Sequence, residues 1–363
     1  MVICFNATQE AKRALDSLVQ TGQFRDISET ISMALVNYEV IQQAVKENRE
    51  VFRDDISAIP AQSSTAQSPA PTASVHPSSP TSRQIPILFQ LREARPSNED
   101  LLPVHKASAD YKLLSPKNWL FGQWNRFLPV KATSRALLSI MGEHHSGIPV
   151  NDASGKISHA ACDLGDYLQM LDARHSRGRG ESVSAAFPST TSRGAESRLR
   201  YGNQFVGSIK QGKLTGLPAA LRLVAHDSAK TPNLRLTNAG AQFAAMPNPL
   251  LDHGLSGDKF TEDEIRFLLQ HIQSCVPEEV SAFVAIIDAI NDGADTPDKI
   301  DAFLRARFGL KDEAAMTATF LSTQRTGAIS RLADLGLVGR EKAGLRVTYT
   351  VSHTGKGFRS QIT

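Results

Sequence analysis

The sequence predicts a mainly α-helical α+β protein whose strands are confined to short hairpins, and three observations lead there. In the stretch 339–358, GREKAGLRVTYTVSHTGKGF, Leu345, Val347, Tyr349 and Val351 alternate with Arg346, Thr348 and Thr350. That is the period-2 pattern of a half-buried strand, and Gly344 supplies the permissive backbone of a hairpin turn before it. Second, 234–243 (LRLTNAGAQF) aligns without gaps on 349–358 (YTVSHTGKGF): the apolar positions, the hydroxyl, the Gly and the Phe coincide. Third, Ile265, Leu268 and Leu269, then Phe283, Ile286, Ile287 and Ile290, then Ile300, Phe303 and Leu304 recur at helical spacing. They predict helices over roughly 261–273, 278–291 and 297–308.

Taken from the N-terminus, 2–7 (VICFNA) is a short β-like run ending at Thr8, a good helix N-cap. Ala11, Ala14, Leu15, Leu18 and Val19 follow at helical spacing up to Gly22, a residue suited to end a helix. A second helix opens at Asp26, with Glu29 placed to bond back across its first turn, and carries Ile31, Ala34, Leu35 and Tyr38 on one face. Strand, helix, Gly turn and longer helix resemble the ribbon-helix-helix repressors and antitoxins, most closely in 21–35, TGQFRDISETISMAL. The resemblance implies a homodimer, and one short strand cannot satisfy its own backbone groups alone. With Ile3, Phe5 and Ala7 inward, the outward face is Val2, Cys4 and Asn6, and only Asn6 is of the type such ribbons use to read DNA. Dimerisation without readout and operator binding by the ribbon both stay open, and Arg25 beside a helix N-terminus is a phosphate candidate.

Residues 60–82 hold five Pro, seven Ser and three Thr and no Lys, Arg, Asp or Glu, the composition of a linker spanning roughly 25 Å as a flexible coil. The expected domains are therefore a dimerisation module over 1–56, a linker over 57–86, a first unit over 87–250 and a second over 251–363. In the first unit Trp119, Phe121, Trp124 and Phe127 crowd together. They read as an anchor packing on the following helix, with base stacking in a single-strand groove as the alternative. Helices are expected over 133–144 and 157–173, a short helix over 201–210, and strands over 219–225 and 234–237.

Charge is distributed unevenly. Residues 174–235 carry eleven bases against three acids, 252–313 fourteen acids against six bases, and 321–363 seven bases against two acids, within a chain of net charge +3. Acid-rich outer faces repel DNA, so the helices of 252–313 are expected to be scaffold or protein-contact surfaces. Basic charge concentrates where the two repeated hairpins lie.

A helix running into Asp-Leu-Gly-Leu-Val338, a charged hairpin, an aromatic-bearing strand and a Gly-bearing turn resemble the C-terminal half of a winged-helix domain. The repeat at 234–243 makes two such units. The resemblance implies a recognition helix presenting Gln324, Arg325 and Arg331 to base edges, and a wing placing Arg340, Lys342 and Arg346 on phosphates or the minor groove. In the first unit Arg198, Arg200, Gln204, Lys210 and Lys213 are the corresponding candidates.

Catalysis has little support. The chain holds no GxxxxGK[ST], HExxH or GxSxG motif, so no catalytic residue, metal ligand or cofactor is expected. His144-His145 reads as a solvated helix end, and Glu262-Asp263-Glu264 as acids complementing a helix N-terminus. Cys4, Cys162 and Cys275 form no CxxC pair and suit a reducing compartment. Lys12 and Arg13 follow rather than precede the short apolar start, and no apolar run approaches membrane length. A cytoplasmic protein is expected, nucleoid-associated in a bacterium.

The expected function is thus a dimeric, sequence-specific double-stranded DNA-binding protein without enzymatic activity. The rival is a non-catalytic adaptor or recognition subunit of a larger DNA-processing, segregation or defence complex, docking a protein through the acidic 252–313 face. A toxin-neutralising antitoxin is suggested by the N-terminal resemblance alone.

Overall fold

The structure, a computed structural model, describes residues 84–362 except 92–95, 105, 108–111, 145–146, 179, 191–193, 228–230, 254–257, 311–316 and 345. The chain divides into compact units Met1–Pro77 and Ser78–Thr363, and every described residue belongs to the second. The expected ribbon-helix-helix module, its homodimer and most of the linker lie outside the described residues.

Short 3-10 turns at Ile87–Phe89, Asn98–Asp100 and Pro116–Asn118 lead into α1 (Leu128–Glu143), which is buried from Leu128 to Met141. It starts before the expected residue 133 because Pro129 is tolerated in a first turn, where no N–H is missed. Then come β1 (Ile148–Pro149), α2 (Val150–Arg174) and α3 (Gly194–Tyr201), which runs into a π turn at Gly202–Val206. The hairpin β2 (Ser208–Lys210) and β3 (Lys213–Thr215), the single turn α4 (Leu217–Ala220), β4 (Val224–His226), β5 (Asn233–Leu236) and α5 (Asn238–Ala245) follow. After a π turn at Pro249–His253 the chain forms α6 (Glu262–Cys275), α7 (Pro277–Asn291), α8 (Pro297–Arg307) and α9 (Ala318–Asp334). It closes with β6 (Val338–Ala343), β7 (Arg346–Val351) and α10 (His353–Ser360).

The helix expected over 201–210 is corrected on two counts. It begins at Gly194 and stops at Val206, because Gly207 takes a φ of 139° that no helix continues. Residues 208–215 form a two-residue hairpin instead, with Gln211 and Gly212 both at positive φ (51° and 75°). The strand expected over 219–225 is mostly helix and turn, and only 224–226 pairs.

The sheets are small. β5 lies between β1 and β4, antiparallel to both, with Ile148 opposite Leu234 and Val224 opposite Leu236; β6 pairs with β7 from Val338↔Val351 to Ala343↔Arg346. Gly344 closes that hairpin at φ 61°.

The sequence repeat is reproduced atom by atom. Thr237 Oγ1 and Ser352 Oγ each cap the following helix, accepting from Gly240 N and Gly355 N at 3.0 Å. The backbone N–H groups of Thr237 and Ser352 donate to Leu223 O and Leu337 O, both at 3.0 Å. A Cβ at Gly240 or Gly355 would fall 1.8 Å from Leu223 O or 2.2 Å from Leu337 O, so both helices pack directly on the backbone. The residues before those leucines, Arg222 and Gly336, both have positive φ (58° and 68°). The repeat therefore extends upstream: Leu221-Arg-Leu-Val224 matches Leu335-Gly-Leu-Val338. Ile148 pairs beside Leu234, and Asp295 O accepts from Tyr349 N at 2.8 Å, at the equivalent place.

One connected core runs from Phe89 through α1, α2, α6, α7 and α9 to Phe358, and it crosses the 250/251 boundary expected between the two units. Each fully buried Leu, Ile or Phe in it contributes about 1.5–3 kcal/mol. Ion pairs add specific ties across the same line. Lys131 Nζ lies 2.8 Å from Glu264 Oε1 with both side chains fully buried, and Arg135 forks onto Asp252.

A candidate nucleic-acid interface

The longest exposed hairpin is β6–β7. From Gly339 to Gly344 every residue is exposed, because β6 makes ladder bonds on one side only and its tip projects beyond the core. Arg340 and Lys342 stand on it with no ion-pair partner among the described residues, and Arg346 is exposed across the turn. The basic loop after α2 reaches this hairpin: a Cβ at Gly180 would lie 3.0 Å from Arg340 Nη1. That loop is tied to α2 by Asp172, which accepts from Ser182 Oγ (2.7 Å), Val183 N (2.9 Å), Ser184 N (3.0 Å) and Ser184 Oγ (2.7 Å). Burial pushes the Asp172 carboxyl up, but these hydrogen bonds outweigh it and hold it below the usual carboxylate range.

The second exposed hairpin is β2–β3. Lys210 stands directly opposite Lys213 at its tip, both exposed. Like charges opposite one another destabilise a strand pair, and a polyanion relieves the repulsion.

The three side chains expected to read bases are placed elsewhere, and this is the main correction. Gln324 is buried, accepting from Gly122 N at 2.5 Å and donating to Pro116 O at 2.9 Å. Arg325 pairs with Asp301 at 2.8 Å and donates to Ser322 Oγ at 2.7 Å. Arg331 is fully buried and forks onto Glu279 at 2.5 and 2.8 Å while Nη1 donates to Trp124 O. Two physical reasons account for this. The loop 116–126 lies across the first half of α9, so closely that a Cβ at Gly327 would meet Gly122 O at 2.1 Å. In addition, α7 and α8 direct Glu279 and Asp301 at the helix, and a buried carboxylate needs a cation. Burial raises the pKa of Glu279 and of Asp301, with Arg331 and Arg325 opposing the shift.

The same pairing takes part of the acidic block inward. Asp252, Glu264, Glu279, Asp288 and Asp301 all point into ion pairs, while Glu262, Asp263, Asp292 and Asp298 remain exposed. Glu264 also closes the capping box of α6 with Thr261.

In the first half of the unit Arg198 is half-buried against Cys162, whose thiol is pushed up by burial and eased down by the arginine. Arg200 is exposed, and Gln204 Nε2 donates to Gln123 Oε1 at 3.3 Å. Arg200 and Gln204 line a groove of about 730 Å³ whose other wall is the exposed face of α9, Ser322, Thr323 and Thr326. Gln123 and Asn125 line it too, and none of the described lining residues is a carboxylate. Sequence reasoning missed this groove, because single Ser, Thr, Asn and Gln residues far apart in the chain form no motif. The crowded aromatics divide: Trp119 and Phe127 are buried, with Trp119 edge-on to Phe308 at the end of α8, whereas Phe121 is 40 % exposed.

Among the described residues no group of three or more His, Cys, Asp or Glu is placed to hold a metal ion, and no helix is long and apolar enough to cross a membrane. Comparison with protein families, with characterised proteins and with solved structures finds no match.

Proposed function

We propose that this chain is a non-catalytic protein that binds double-stranded DNA through two winged-helix-like units, dimeric through its N-terminal module. The observation that carries the reading is the pair of exposed basic hairpins, β2–β3 with Lys210 and Lys213 and β6–β7 with Arg340, Lys342 and Arg346. Helices α7, α8 and α9 followed by the β6–β7 hairpin stand in winged-helix order, with Asp295 bonded to β7 where such a domain has its extra strand. Around the first hairpin of the repeat, β1–β5–β4 has the matching order. Contact runs mainly to phosphates, because Gln324, Arg325 and Arg331 are committed to internal partners. Base discrimination falls to the hairpins.

Replacing Arg340, Lys342 and Arg346 together by Ala lowers affinity for every duplex alike. It also reduces the slope of log K against log salt by about 0.9 for each phosphate that is no longer neutralised. Fluorescence anisotropy with labelled duplexes over a salt series measures both, and an unchanged slope counts against the assignment.

A second reading, the adaptor, is favoured by one observation: the loop 116–126 covers the half of α9 that enters a major groove in a groove reader. In that case the purified chain ignores duplex DNA at low salt and co-elutes with a neighbouring gene's product.

A further inference from the structure

The groove between α3 and α9 is too small for a duplex, yet its volume of about 730 Å³ lies within the ~300–1,000 Å³ typical of ligand clefts. One wall is α3 with its π turn and the other is α9. The lining offers Arg200 as an exposed cation, the hydroxyls of Ser322 and Thr326, and the amides of Gln123, Asn125 and Gln204. These groups donate to phosphate and sugar oxygens, and the described lining residues include no carboxylate to repel an anion. Phe121, one residue before the lining residue Gly122, is 40 % exposed and holds Trp124 edge-on at 5.7 Å. A half-exposed aromatic beside a polar, cationic groove is the pairing that holds unpaired bases, since every base has a π-face to stack.

We propose that this groove binds a short stretch of single-stranded nucleic acid, its backbone along Arg200, Ser322 and Thr326 and a base on Phe121. The inference rests on the nucleic-acid reading above but not on the hairpins, so the two are separable.

The test is anisotropy of the full chain with a labelled oligothymidylate and, separately, a labelled duplex. Phe121→Ala, Arg200→Glu and Thr326→Trp change exposed side chains, so the fold is retained. Each is expected to weaken oligothymidylate binding by at least about fivefold, the lower end of what one stacked base contributes. Duplex affinity stays within about twofold, equivalent to about 0.4 kcal/mol. The Arg340, Lys342 and Arg346 triple variant gives the reverse pattern. Oligothymidylate binding that is absent in the wild type, or unchanged in the groove variants, overturns the proposal. So does an equal weakening for both ligands, which makes the groove a part of the duplex surface. Failure of the triple variant to affect duplex binding overturns only the hairpin assignment.

Discussion

At the scale of single residues, charge that reads as surface in the sequence is spent inside the molecule. Arg331 has the spacing of a groove-reading side chain, yet both of its forks and its remaining nitrogen are satisfied by Glu279 and Trp124 O. Arg331→Met leaves Glu279 charged and buried, so urea denaturation should report a loss of about 3–5 kcal/mol, with the Arg331→Met, Glu279→Met pair recovering much of it. Unchanged stability with altered duplex specificity would return Arg331 to the interface. Lys131 is the second case. Burial takes its pKa from the ordinary 10.5 down to about 8, with the Glu264 carboxylate opposing. The folded pKa lies below the unfolded one, so between pH 8 and 10.5 the unfolded chain binds the extra proton. This group therefore makes stability rise with pH across that window, while below it the whole desolvation cost is present. Urea midpoints of the wild type relative to Lys131→Met should climb over the same range, and a constant difference rules the assignment out.

At the scale of elements, periodicity was legible and irregularity was not. The helices expected over 261–273, 278–291 and 297–308 are found at Glu262–Cys275, Pro277–Asn291 and Pro297–Arg307, because each carries a continuous apolar stripe. Strand β2 falls inside the helix expected over 201–210, where Phe205, Val206 and Ile209 fit helical spacing, and its partner β3 lies just beyond it. Hairpin and helix compete there, and the backbone angles at Gly207 and Gly212 decide. The repeated strand-to-helix joint was legible because it depends on a few irreplaceable residues. Gly355→Ala places a methyl 2.2 Å from Leu337 O and should cost about 1–3 kcal/mol in urea denaturation. Gly357→Ala, two residues on in the same helix with open space around it, should gain about 0.5–1 kcal/mol. Equal effects at the two glycines would mean that α10 does not rest on that backbone.

At the scale of the whole molecule, the linear charge blocks are complementary rather than independent. The acids of 252–313 meet Lys131 and Arg135 from α1 and Arg325 and Arg331 from α9. A sequence shows the blocks but not which side chains cancel, because cancellation depends on pairs far apart along the chain. The groove was illegible for the same reason: Gln123, Arg200 and Thr326 become neighbours only in the folded chain. Those cross-ties bear on how the protein is made. Lys131 and Arg135 leave the ribosome well before Asp252 and Glu264, and at about 5–20 residues per second the delay is on the order of ten seconds. During that interval two cations of α1 meant for a dry interior lack their carboxylate partners. The ties that lock α1 to the second half of the unit therefore form only once residues 252–264 have been synthesised.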